Sequence, residues 1–159
     1  MRTGFGYDSH RLAAGRKLIL GGVEIPFEKG LIGHSDADVL CHAITDAIIG
    51  ALGLGDIGRH FPDSDPQWKD AMSTELLKYI LDIVTMNGYS VSWIDATIIA
   101  EQPRISPFID AMKESLSETG IPPGNINIKA KTNEGMGFIG RGEGIAACAV
   151  CLLEKILPS

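Results

Sequence analysis

Val39, Leu40, Ala43, Ile44, Ala47 and Ile48 recur at helical spacing and predict an amphipathic helix running from about Asp36. Ser35 is its expected N-cap, Asp38 adds favourable charge to its first turn, and Gly53 and Gly55 end it. A second helix is expected over Thr74–Met86, between Ser73 as N-cap and Gly88 just beyond its C-terminus. A third begins at Ser106-Pro107, with proline at the first position, and Gly120 stops it. Ser90–Ala100 alternates and is rich in β-branched residues, which predicts a strand; Ile126–Ala130 and Gly144–Leu153 read the same way. Thr3–Tyr7 is a short apolar-leaning strand that ends in Asp8-Ser9-His10. Lys17–Leu20 and Val23–Ile25 flank Gly21-Gly22, the pattern of a hairpin with a tight turn.

Strands and helices mix without strict alternation, and no linker or repeat divides the chain. The expectation is therefore a single α+β domain over residues 1–159, a mixed β-sheet with helices on one face. The other face of the sheet also needs cover. Without further helices, self-association through the sheets is the simplest way to supply it.

Hydrophobic residues at 45% and charged residues at 21% exclude disorder, collagen and coiled coil. A formal charge of −6 argues against nucleic acid as a partner, but leaves room for a small phosphorylated ligand. Cys41, Cys148 and Cys151 are no disulfide framework, which favours a reducing compartment. Cys148 and Cys151 lie three apart in a predicted strand and point to opposite faces, so they read as small hydrophobes rather than a metal or redox pair. No signal peptide opens the chain and no apolar run reaches about 18 residues, so neither export nor a membrane span is expected. The expected location is therefore the cytoplasm.

Candidate chemistry begins at Asp8 and His10, which share one face if their segment is a strand. A carboxylate and an imidazole so placed suit zinc, although such a pair alone is more often ordinary solvent-facing polarity. Asp38, His42 and Asp46 recur every four residues and form one polar stripe. That stripe is either a solvated face, or His42 binds a metal while Asp38 or Asp46 holds its second ring nitrogen. Asp8, His10 and His42 together would leave one tetrahedral position open, as catalytic zinc sites do. His34, just before the first helix, could contact a phosphate at the helix start or be an exposed loop imidazole; His60 receives no role. The loop Gly55–Asp65 combines carboxylates with Phe61 and suits a polyol as well as it suits a plain surface loop. It lacks the closing glutamate of a calcium-binding EF-hand loop. Five glycines fall between positions 135 and 144, with Lys131, Thr132 and Arg141 as anion donors and Glu134 as a hard oxygen for a second divalent cation. The stretch contains neither a Walker loop nor a dinucleotide fingerprint, and a glycine-rich turn is its plain alternative.

Asp8-x-His10, Gly33-His34-Ser35-Asp36-x-Asp38, His42, Gly55-Asp56-Ile57-Gly58, Phe61-Pro62-Asp63 and Thr132-Asn133-Glu134 occur in this order, followed by Gly140-Arg141-Gly142-Glu143-Gly144. In combination they resemble the family of 2-C-methyl-D-erythritol 2,4-cyclodiphosphate synthases, over essentially all 159 residues. The resemblance implies a lyase of isoprenoid precursor biosynthesis, in the bacterial cytoplasm or, for a processed eukaryotic form, the plastid stroma. In the lyase reaction, the 2-phosphate of 4-diphosphocytidyl-2-C-methyl-D-erythritol 2-phosphate attacks the β-phosphorus and expels CMP. It implies Asp8, His10 and His42 as ligands of one zinc per subunit, and Glu134 as a holder of magnesium or manganese with the diphosphate. His34 and Thr132 would stabilise the transition state. Ser35, Asp56, Gly58, Phe61, Asp63, Phe138 and Arg141 would line the methylerythritol-phosphate part. Ala100, Pro103, Arg104, Ile105 and Ser106 would form the cytidine pocket, with Lys131 and Asn133 near the ribose and phosphates. The family is a homotrimer with active sites between subunits. A zinc-dependent phosphohydrolase would use the same open metal position, with bound water as nucleophile. A nucleotide-binding or metal-storage module would bind CDP without turnover.

Overall fold

In the computed structural model, which describes residues 1–157, alternation sets the first strand, β1 (Arg2–Ala14). Gly4, Gly6, Asp8, His10 and Leu12 turn inward and Phe5, Tyr7 and Ser9 turn outward. The hairpin strands β2 (Leu18–Leu20) and β3 (Val23–Ile25) pair antiparallel around Gly21-Gly22. Both glycines have positive φ, 58° and 74°, as a two-residue turn of this hand requires. Next come β4 (Lys29–Leu31), α1 (Val39–Leu52), the short α2 (Ile57–His60) and α3 (Ser73–Met86). The chain continues through β5 (Tyr89–Ile99), α4 (Ile109–Ser117), β6 (Ile126–Lys131), the short α5 (Gly137–Gly140) and β7 (Gly144–Lys155). The main sheet runs β4-β1-β7-β5-β6; β5 and β6 are parallel and the other neighbours antiparallel, so the sheet is mixed and the fold is α+β. The expected domain boundary at residue 159 lies outside the described residues.

Two expected caps move. Asp38, not Ser35, caps α1, its carboxylate accepting the Cys41 N–H at 3.0 Å. The same buried carboxylate accepts Gly21 N–H at 2.9 Å and Gly22 N–H at 2.7 Å, tying the hairpin turn to the helix start. Burial pushes its pKa up, opposed by these three N–H donors. Ser73 is the first residue of α3 rather than its cap, and Met72 before it makes no side-chain cap. The third helix starts at Ile109, after a 3₁₀ turn over Ser106–Phe108 that carries the proline. β4, α2 and α5 are too short to show a periodic pattern in the sequence.

Helix α1 lies directly on β1 because the strand has no side chains in the way. A Cβ on Gly6 would stand 2.0 Å from the Ala43 carbonyl oxygen and 2.6 Å from the Ala47 nitrogen. One on Gly4 would stand 1.9 Å from the Ala47 oxygen. Ala43, Ala47 and Ala51 recur every four residues along this contact, and Ala147 and Ala149 of β7 sit opposite Asp8 and Gly6. Leu76, Leu77, Ile80, Leu81 and Val84 of α3 close the core beside α1.

The opposite face of the sheet remains open in this chain. Phe5 is 63%, Tyr7 52%, Trp93 43% and Val150 47% exposed, and Phe5 lies opposite Val150 in register. This is the apolar face that sequence reasoning expected to need cover. Cys148 is half-buried, and burial pushes the Cys151 thiol up to about 12, consistent with small packing residues. Among the described residues no helix is long and apolar enough to cross a membrane.

Candidate functional site

Strand periodicity carries Asp8 and His10 on the same inward face as Gly4 and Gly6. Because α1 lies so close at Gly6, His42, the residue before Ala43, is brought against both. His10 Nε2 is 2.8 Å from Asp8 Oδ2, His42 Nδ1 is 2.9 Å from the same oxygen, and the two nitrogens are 3.1 Å apart. Among the described residues these three form the group whose ligand atoms converge. Nitrogen and oxygen ligands about 2.0–2.1 Å from a tetrahedral zinc stand about 3.3 Å from each other. The triangle is thus one slightly contracted face of such a set, and the donor chemistry fits a divalent metal with one position left for a ligand. Burial would raise the Asp8 carboxyl and lower the His10 imidazole, but their mutual hydrogen bond and charge, with His42 adding to the effect on Asp8, outweigh it. Asp8 ends well below its ordinary value and His10 above its own.

Both rings are oriented from behind. His10 Nδ1–H donates to the Ile32 carbonyl at 2.8 Å, leaving Nε2 to face the centre. His42 Nε2 lies 2.9 Å from Ser73 Oγ and 3.1 Å from Ser35 Oγ. Neither Asp38 nor Asp46 holds this nitrogen, contrary to expectation. Asp38 is spent on the cap and hairpin, and Asp46 accepts the Ile57 N–H at 3.1 Å, because the ring turns toward α3 rather than along its own helix.

Asp8, His10 and His42 line a cavity of about 440 Å³ together with His34, Ser35, Gly58, Phe61 and Asp63. His34 Nε2 is, among the described residues, the buried side-chain polar atom without a hydrogen-bond partner. A polar ligand in the cavity would satisfy it. Asp56 is absent from this lining; its carboxylate caps α2 by accepting Arg59 N–H at 3.0 Å. Gly33 and Ile57, from the same motifs, line it too, and Trp68 and Leu76, which sequence reasoning misses, complete the wall. Trp68 packs edge-on against Phe61 at 4.9 Å, and Tyr79 backs Phe61 at 5.8 Å. A lone tryptophan in an otherwise polar loop was the available signal. His60 Nε2–H donates to the Leu54 carbonyl at 3.1 Å and so fastens the loop.

The remaining candidates gather elsewhere. Ala100, Pro103, Arg104, Ile105, Ser106, Lys131 and Thr132 line a second concavity of about 260 Å³, with Glu101 and Gln102. Glu101 accepts the N–H groups of Asn133 at 3.1 Å and Gly135 at 3.2 Å, holding Glu134 between them at φ 52°. Thr132 Oγ1 donates to Glu134 Oε1 at 3.3 Å. Phe138 lines a third hollow with Ser9, Arg11, Glu143 and His10, the last of which the first cavity shares, while the exposed Arg141 pairs with Glu143 at 2.6 Å. Within one chain, then, His34 and Thr132 lie in different concavities that share no lining residue.

Residues 1–154 match the model of the YgbB family. The 2-C-methyl-D-erythritol 2,4-cyclodiphosphate synthase of Geobacter metallireducens is 58% identical over 156 residues, covering 98% of this chain and 99% of that protein. The solved structure of a bifunctional IspDF from Campylobacter jejuni matches with a TM-score of 0.93 and 44% identity, over 97% of this chain and 42% of that longer one. A 2C-methyl-D-erythritol-2,4-cyclodiphosphate synthase solved with CDP bound matches with a TM-score of 0.88 and 38% identity, over 96% of this chain and 100% of that one.

Proposed function

As the chain belongs to the YgbB family, we propose that it is the cyclising, CMP-releasing lyase that makes 2-C-methyl-D-erythritol 2,4-cyclodiphosphate for isoprenoid synthesis, working in the cytoplasm. The observation that carries the proposal is the convergence of Asp8, His10 and His42 on a cavity that also holds the unpartnered His34 Nε2. In the reaction, an oxygen of the substrate's 2-phosphate bonds to the β-phosphorus, and the bond from that phosphorus to the bridging oxygen breaks. CMP leaves with the bridging oxygen and its electron pair.

When bound, zinc at Asp8, His10 and His42 and magnesium or manganese beside Glu134 neutralise phosphate charge, the chief obstacle to bringing two anions together. His34 Nε2, lacking a partner in the protein, donates to a phosphoryl oxygen. Phe61, held by Trp68 and Tyr79, offers the apolar wall for the methylerythritol carbons, while Ser35, Gly58 and Asp63 serve its polar groups. Phe138 and Arg141 complete that part of the site from the glycine-rich segment. The hollow from Ala100 to Ser106 takes the cytidine, with Lys131 and Asn133 beside the ribose and phosphates. No side chain need move a proton, because the nucleophile is already an anion and CMP leaves as one. The protein's task is orientation and fixed electrostatics. In isotopically labelled water the cyclic product should carry no label; label in the product would mean that water is the nucleophile and would overturn the proposal.

The separation of His34 from Thr132 supports active sites assembled between copies of the chain, and the exposed Phe5, Tyr7, Trp93 and Val150 support a homotrimer built through the sheets. His42→Ala and Ala100→Trp should each inactivate the enzyme alone, the indole filling the hollow at an overpacking cost of about 1–3 kcal/mol. Co-expressed, the two should regain partial activity, since some interfaces combine an intact metal centre with an open nucleotide hollow. Mixed trimers that stay wholly inactive would place the site within one chain.

A further inference from the structure

We infer that Asp36 and Ser73 are positioning residues that set the tautomer of His42, and so present its Nδ1 to the metal; the inference rests on the reading of Asp8, His10 and His42 as a metal centre. Ser73 is fully buried at the first position of α3. A serine there would ordinarily be spent on its own helix, but this hydroxyl donates its single hydrogen to Asp36 Oδ1. The Asp36 carboxylate is itself fixed, since its other oxygen accepts the Ser73 N–H at 3.1 Å and Oδ1 accepts the Asp38 N–H at 3.1 Å. With its hydrogen committed, Ser73 Oγ can only accept from His42 Nε2, 2.9 Å away. The ring proton is therefore held on Nε2. In a neutral imidazole the lone pair then lies on Nδ1, the atom facing Asp8 Oδ2 and His10 Nε2.

Ser35 does not do this alone. Its Oγ, 3.1 Å from the same nitrogen, accepts the Ala37 N–H but keeps a hydrogen free to donate. Facing Ser35 only, His42 Nε2 could accept, and the ring could then carry its proton on the metal-facing side. The Asp36–Ser73 pair removes that alternative. It extends the familiar carboxylate–histidine–metal arrangement by one hydroxyl.

Ser73→Ala deletes the hydroxyl while keeping the N–H that Asp36 accepts at the start of α3. Zinc affinity is measured by competition with a chromogenic chelator, and the His42 tautomer by nitrogen-15 NMR of the zinc-loaded and metal-free protein. Wild type should bind one zinc per chain with the proton on Nε2. Ser73→Ala should bind about 10–100-fold more weakly, with mixed tautomers in the folded, metal-free protein. Asp36→Asn, which leaves Ser73 in place but weakens its acceptor, should fall between the two and decides the matter if Ser73→Ala does not fold. Affinity and tautomer matching wild type in the folded variant would overturn the inference alone. Wild-type protein that binds no zinc would overturn the metal centre and the inference with it.

Discussion

Turnover by His42→Ala should fall by about 1000-fold or more, the several kcal/mol lost with a Lewis acid, while the chain stays folded. The substitution leaves Asp8 and His10 as ligands, too few to hold a tetrahedral metal tightly. It should not disrupt the fold, because His42 stands at the edge of the cavity and the flanking Cys41 and Ala43 keep their buried contacts. Alanine is also the better helix former at that position. Metal analysis and circular dichroism of the purified variant check both halves. Zinc at the wild-type ratio in a folded variant would remove His42 from the ligand set.

Gly6→Ala should strongly destabilise the protein. The added carbon would lie 2.0 Å and 2.6 Å from backbone atoms of Ala43 and Ala47, which cannot rotate away as a side chain could. Helix α1 must lift from β1, at a cost of about 3 kcal/mol or more. His42 rides on the same turn, so the lift also separates its ring from Asp8 and His10, and metal affinity should fall with stability. Gly124→Ala is the matched control: it has no atom within 4 Å of the added carbon, and its φ is not positive. Urea unfolding of the two variants should give a large fall in midpoint for the first and almost none for the second. Equal midpoints would mean that close packing at Gly6 does not hold the helix.

These variants also mark what could be read from the sequence. Alternation in β1 was enough to put Asp8 and His10 on one face, and helical spacing was enough to put His42 beside the apolar stripe of α1. The contact that joins them depends on Gly4 and Gly6 meeting Ala43 and Ala47, and small residues leave no hydrophobic signal. For the second His42 nitrogen the sequence offers only Asp38 or Asp46 on the same helix, because i to i+4 spacing is all that a local pattern contains. The partner is instead Ser73, 31 residues away, whose place at a helix start made it resemble a cap. Asp38 was legible as a helix-start residue but not as the anchor of the hairpin turn, since its bonds to Gly21 and Gly22 cross 17 and 16 residues. The division of His34 and Thr132 between two concavities is tertiary information of the same kind. Family resemblance grouped these residues by role; the single chain keeps them apart.

Phosphorus NMR of the purified protein incubated with 4-diphosphocytidyl-2-C-methyl-D-erythritol 2-phosphate, zinc and magnesium follows the proposed chemistry itself. Two mutually coupled resonances of a cyclic diphosphate should grow in step with CMP as the substrate signals fade, and the reaction should stop when a chelator strips the metal. Formation of an open-chain phosphate ester, or substrate that persists unchanged with the metal centre loaded, would contradict the assignment of this chain as a cyclase.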